Sequence, residues 1–145
     1  MTGPTNPSEV YFDKGLWGFD GTQWRRLNLL FGYYDRYVEN LGNTNAPSGT
    51  YTKNGTSVPS GQIWVVNCIG FVNATGARGQ VALVVVAGGV TCYLKTNPTP
   101  TTGVPDIVTG NFVLKSGDYV LVQQYSVVSG DYLIAYALGY KMKVA

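Results

Sequence analysis

Histidine is missing altogether, and cysteine occurs only twice, as Cys68 and Cys92. The first absence removes His-based triads, His-ligated metals and imidazole acid–base work together. Two thiols with no histidine beside them cannot supply the four ligands of a structural zinc site. Charge is scarce as well: Asp, Glu, Lys and Arg make up 12% of the chain, about half the usual share of roughly 25%. The net charge is +2 and the one adjacent basic pair is Arg25-Arg26. In a strand those two side chains point to opposite faces and cannot line one phosphate track, so no nucleic-acid partner is expected. The longest uninterrupted apolar run, Val81 to Ala87, is too short to cross a bilayer. The opening Met1-Thr-Gly-Pro-Thr-Asn-Pro-Ser8 has neither the basic nor the apolar region of a signal peptide. These absences set the expectation of a soluble protein made in a cytoplasm, with no membrane partner and with two free, buried thiols.

Glycine, threonine, asparagine and tyrosine fill the place of the missing charge, with eleven Tyr against five Phe. That mixture suits short strands joined by tight turns, and tyrosine suits both half-buried strand positions and protein interfaces. Apolar residues almost nowhere recur at helical spacing. β-Branched and aromatic runs bounded by Gly, Pro, Asn and Asp recur from end to end instead. Strands are expected at 10–12, 16–20, 22–30, 33–41, 49–53, 62–72, 80–87, 90–95, 107–114, 119–125 and 132–140. The fold class that follows is all-β, an antiparallel β-sandwich or jelly-roll-like barrel. At 145 residues the chain fits one domain. Residues 1–9 are expected as an extended arm and 10–145 as a single β domain, with a hairpin at 16–30 and a Pro/Thr-rich loop at 96–106.

Turn chemistry specifies the pairing at two places. Asp20-Gly21 suits a two-residue turn, which would set Phe19 opposite Thr22 and Trp17 opposite Trp24. Gly88-Gly89 makes the second such turn and puts Ala87 opposite Val90 and Val85 opposite Cys92. Further on, Ser116-Gly117-Asp118-Tyr119 is nearly repeated by Ser129-Gly130-Asp131-Tyr132, the same turn-into-strand device used twice. Ile63 to Val72, Val81 to Val86 and Tyr132 to Leu138 are each apolar at both parities. A two-layer sandwich covers only one face of each sheet. The second face therefore calls for another segment of the chain or another copy of it.

No catalytic, cofactor or metal site is expected. Asp35 and Glu39 lie four residues apart, which along a strand is about 13 Å, beyond the roughly 5–9.5 Å separations of paired glycosidase carboxylates. Asp106, Asp118 and Asp131 fall at turns without the spacing of a calcium loop. No phosphate-binding glycine motif occurs. Asn54-Gly-Thr and Asn73-Ala-Thr match the glycosylation pattern and read as chance matches in a chain without a signal peptide.

The stretch Leu16-Trp17-Gly18-Phe19-Asp20-Gly21-Thr22-Gln23-Trp24-Arg25-Arg26-Leu27 resembles the W-G-x-D-G-T-x-W-R-R-L segment of small virion proteins of tailed bacteriophages. Val58-Pro59-Ser60-Gly61-Gln62-Ile63-Trp64-Val65-Val66, the two Gly-Asp turns and Leu138-Gly139-Tyr140 are similar to the β-sandwich part of such proteins. Among them a head decoration, or cement, protein fits the size and the lack of enzymatic residues. The resemblance implies a non-enzymatic homotrimer on the outside of the capsid, partnered by the major capsid protein, with terminal arms reaching neighbours. Trp17, Trp24, Arg25, Arg26, Tyr33, Tyr34 and Tyr37 are the residues expected at its interfaces. A carbohydrate- or receptor-binding module of a tail tip or fibre, using Trp and Tyr faces beside Asn and Asp, is the alternative.

Overall fold

Strands dominate because β-branched and aromatic residues supply most of each run and glycine or aspartate closes it. The computed structural model describes residues 11–12, 16–19, 24–27 and 33–143. Its strands are β1 (Tyr11–Phe12), β2 (Leu16–Phe19), β3 (Trp24–Leu27), β4 (Tyr33–Asn40), β5 (Asn43–Ala46), β6 (Gly49–Asn54), β7 (Gln62–Asn73), β8 (Val81–Ala87), β9 (Val90–Asn97), β10 (Asp106–Leu114), β11 (Tyr119–Val127) and β12 (Asp131–Lys143). The expected arm at 1–9 lies outside the described residues.

Two antiparallel sheets pack face to face as a β-sandwich. One runs β10-β7-β12-β4, with β5 also on β12; the other runs β6-β11-β8-β9. β4 and β5 lie end to end along the same edge of β12, joined where the Leu41 N–H donates to Ala135 O at 2.8 Å. β5 is the strand that composition does not announce. Asn-Thr-Asn-Ala has poor strand propensity and is extended because β12 offers it a ladder.

Side chains from both sheets meet in one core. Tyr37, Val66, Ile69, Phe71, Leu114, Leu133 and Ala137 come from the first sheet, and Tyr51, Val81, Leu83, Val85, Val120 and Val122 from the second. Each fully buried Val, Leu, Ile or Phe is worth about 1.5–3 kcal/mol, so the domain needs no covalent staple. β7 changes parity on the way through. Its pairing with β12 slips between Leu138, opposite Cys68, and Gly139, opposite Val66. The inward series therefore runs Trp64, Val66, then Ile69 and Phe71. The simple alternation expected for Ile63 to Val72 is corrected by this bulge, which puts one extra residue into the strand.

The Gly88-Gly89 hairpin forms as expected, with Ala87 opposite Val90 and Val85 opposite Cys92. Both glycines have positive φ, 58° and 79°, as the mirror-image turn requires. The first hairpin differs from its expectation. Phe19 faces Trp24 and Trp17 faces Arg26, in place of the expected Phe19–Thr22 and Trp17–Trp24 pairs; the turn at Asp20-Gly21 lies outside the described residues.

Candidate functional site

The repeated Ser-Gly-Asp turns are built alike. The Asp118 N–H donates to Lys115 O at 2.9 Å, while Asp118 Oδ2 accepts the Lys115 N–H at 2.8 Å. Thirteen residues on, the Asp131 N–H donates to Val128 O and Asp131 Oδ2 accepts the Val128 N–H, both at 3.0 Å. Gly117 and Gly130 hold φ near +90°, which the third residue of such a turn demands. Each carboxylate then uses its remaining lone pairs to tie in a distant segment. Asp118 Oδ1 accepts the Gly88 N–H at 2.8 Å, anchoring the second hairpin. Asp131 Oδ2 accepts Asn73 Nδ2 at 3.0 Å and its Oδ1 accepts Thr75 Oγ1 at 3.2 Å.

Asn73 is the hub of that second knot. Its Nδ2 also reaches Gly76 O and Gln124 Oε1, each at 3.2 Å, and its Oδ1 accepts the Gly76 N–H at 2.9 Å. Gln124 is fully buried and donates to Arg78 O at 3.0 Å. Burial by itself would raise the Asp131 pKa. The hydrogen bonds from Val128, Asn73 and Thr75, with the Arg78 guanidinium nearby, outweigh it and hold the carboxyl below its usual range. Asn73 is 2% exposed, so no glycan can be carried there in the folded protein. The sequence signal for this knot was Gln124 itself, a polar residue on the inward row of Val120 and Val122.

Asp106 completes the set of buried aspartates. It accepts both contacts of Asn97 Nδ2, at 3.0 and 3.1 Å, and pairs with Lys95 at 3.2 Å. These three carboxylates are spent on separate turns and strand ends. Among the described residues no group of three His, Cys, Asp or Glu comes together to hold a metal ion. Asp35 and Glu39 also go separate ways along β4. Asp35 lies 3.7 Å from Lys141, which itself sits over the Trp64 ring, while Glu39 takes the Thr56 N–H and hydroxyl at 2.7 and 2.8 Å and the Tyr37 hydroxyl. Burial, reinforced by the hydrogen bond to Glu39 and its charge, pushes the Tyr37 phenol well above its usual pKa.

Tyr37, expected at an interface, is a core residue. It is 3% exposed and its ring packs on Trp64 with centroids 4.8 Å apart. Trp17, Trp24, Arg25, Arg26, Tyr33 and Tyr34 are placed on β2, β3 and β4 by their backbone pairing; their side chains lie outside what the structure describes. Cys68 and Cys92 are free, and both are half-buried where full burial was expected. The bulge explains Cys68, which falls on the outward side of β7.

The outer face of the five-stranded sheet carries the second apolar parity of Ile63 to Val72 and Tyr132 to Leu138. Register aligns its outward residues in rows: Arg36, Tyr140, Val65 and Val113; Val38, Leu138, Cys68 and Thr109; Asn40, Tyr136, Gly70 and Ile107; then Ile134 beside Val72. Arg36, at the edge strand, is the one charge in these rows. Val38, Val113, Ile107, Ile134 and Leu138 are all exposed. The Tyr136 ring lies against Gly70, whose missing side chain makes the slot: a Cβ there would clash with the ring. The other sheet's outer rows are mixed, with Gln123, Thr52, Thr91 and Thr96 among Tyr93, Leu121 and Val84. At one end of the five-stranded sheet Asn40, Asn43 and Thr44 face Tyr132 and Ile134 across a recess of about 110 Å³, well short of the roughly 300–1,000 Å³ of ordinary ligand pockets.

No protein-family model matches the chain, and no curated protein matches its sequence. Among solved structures, the chain is similar to the Drosophila NLP core, described by its pentamer formation and histone binding, at 16% identity and a TM-score of 0.41, covering 76% of this chain and 100% of that one. A Bacillus endospore appendage protein from a family of disulfide-linked pili shares 14% identity at a TM-score of 0.39, covering 83% and 100%. A protein of the infectious bursal disease virus Gx strain shares 13% identity at a TM-score of 0.36, covering 88% of this chain and 40% of that one.

Proposed function

We propose that this chain is a non-enzymatic structural protein of a virus particle, a decoration protein that binds the outside of a tailed-phage capsid and stabilises its lattice. The observation that carries a structural role is the outer face of the five-stranded sheet, an exposed apolar surface with a single charge on one domain. Contiguous exposed apolar area of this kind marks an interaction surface. Among the described residues the buried carboxylates Asp106, Asp118 and Asp131, in contrast, each hold a turn or strand end. The resemblance of Leu16 to Leu27 to small virion proteins supplies the particle.

The test mixes the purified chain with empty expanded shells of a tailed-phage major capsid protein. Saturable, stoichiometric binding with a higher thermal transition for both partners is expected, since binding to the folded state stabilises it. No binding to the shells, with both transitions unmoved, overturns the capsid reading. The rival, a carbohydrate-binding module of a tail tip, draws on the recess where Tyr132 stands beside Asn40 and Asn43. Binding to host-surface glycans that Tyr132→Ala abolishes would favour it.

A further inference from the structure

We infer that the outer face of the five-stranded sheet is where two copies of this chain associate, sheet against sheet about a two-fold axis. This rests on the reading above that the face is an interaction surface, and it names the occupant. Four strands about 4.8 Å apart carrying four outward rows about 7 Å apart give on the order of 500 Å² in projection. The accessible area is larger because the side chains stand in relief, which brings the face towards the roughly 800 Å² per partner of a standard interface.

Two properties of the face select a second copy. The first is breadth. The N-terminal strands β1, β2 and β3, of 2, 4 and 4 residues, span only about 200 Å² at the same spacings, and among the described residues they pair with one another. They are too small to cover it. The second is charge. The rows of β10, β7 and β12 carry none, and Arg36 stands on the edge strand, where it can keep its water. Such a face offers nothing for an oppositely charged partner to recognise, and it meets its own copy without like-charge repulsion at the centre. A single flat patch that complements itself pairs about a two-fold axis; a ring of three, as the family resemblance implies, needs two different patches on each copy.

The test is the mass of the full chain by light scattering and sedimentation at micromolar concentration. It compares the wild type with Val113→Lys and Ile134→Lys, whose side chains are 55% and 40% exposed, so the fold tolerates the change; circular dichroism checks this. The wild type should run at twice the 15.6 kDa chain mass and each variant at that mass. Cys68, within the same rows, supplies a second reading. Its labelling by a maleimide should be slow in the wild type and at least tenfold faster in either variant, with Cys92 as the internal control. A wild-type monomer, a wild-type trimer, or a dimer that survives both substitutions with Cys68 labelling unchanged overturns the inference. Shell binding is measured separately. A monomer that still decorates shells removes this contact and leaves the capsid reading standing, and a dimer that ignores them does the reverse.

Discussion

Replacing Asp131 by alanine should be among the costliest single changes that remove no apolar core. The carboxylate accepts Val128 N–H at 3.0 Å, Asn73 Nδ2 at 3.0 Å and Thr75 Oγ1 at 3.2 Å. Hydrogen bonds to a charged group are worth about 1.5–3 kcal/mol each. Asn73 keeps Gly76 O and Gln124 Oε1 as partial replacements, and solvent can reach the exposed Thr75, so the net loss expected is about 3 kcal/mol. At about 2–4 °C per kcal/mol for a domain near this size, the melting temperature should fall by about 6–12 °C. Ser129→Ala, at an exposed position of the same turn, should stay within about 0.5 kcal/mol. The pH dependence separates the ionised carboxylate from mere packing. Its folded pKa is depressed, so its stabilisation is fully present above the unfolded value near 3.9 and is lost as pH falls through the folded value. Urea midpoints of wild type and Asp131→Asn should differ at pH 7 and converge as the pH is lowered below about 4. A melting shift under about 2 °C for the alanine variant, or a gap from the asparagine variant that ignores pH, would refute the account of the knot.

Three further outcomes follow from single contacts. Gly88→Ala and Gly89→Ala should each cost about 1–2 kcal/mol by urea unfolding, because both positions hold positive φ with no atom within 4 Å to clash, so the loss is backbone strain alone; Gly88→Asn should cost less. The raised pKa of Tyr37 means that stability complete below pH 10 declines above it, since only the unfolded chain then ionises freely; Tyr37→Phe should flatten the fall in urea midpoint between about pH 9 and 11. Gly70→Ala should lift the Tyr136 ring from its slot, seen as a change in tyrosine near-ultraviolet dichroism, and Tyr136→Ala in the same chain should recover most of the lost stability.

The fold was legible wherever local chemistry and the sheet agreed. Ten of the eleven expected stretches from β1 to β12 needed only their ends moved by a few residues, because β-branched runs closed by glycine or aspartate have few other uses. Of stretch 22–30, the described residues form β3 at Trp24–Leu27. What was not legible depended on partners far along the chain. β5 exists because β12 passes beside it, and Tyr37 is a core residue because Trp64 lies under it; neither fact is written within ten residues of the site. The surface was half legible. Strands apolar at both parities pointed to a second apolar face, and among the described residues β12 presents one, with Leu133, Ala135 and Ala137 inward and Ile134, Tyr136 and Leu138 outward. For β7 the same pattern had a second cause. A bulge at Asn67 lets one strand present apolar residues inward at even numbers before it and odd numbers after it. Double parity in a sequence therefore has two physical readings, a face that needs a partner or a strand that changes phase. Only the pairing register tells them apart: β12 shows the first alone, while β7 shows both, since Val65, Cys68 and Val72 join the outward rows on either side of its bulge.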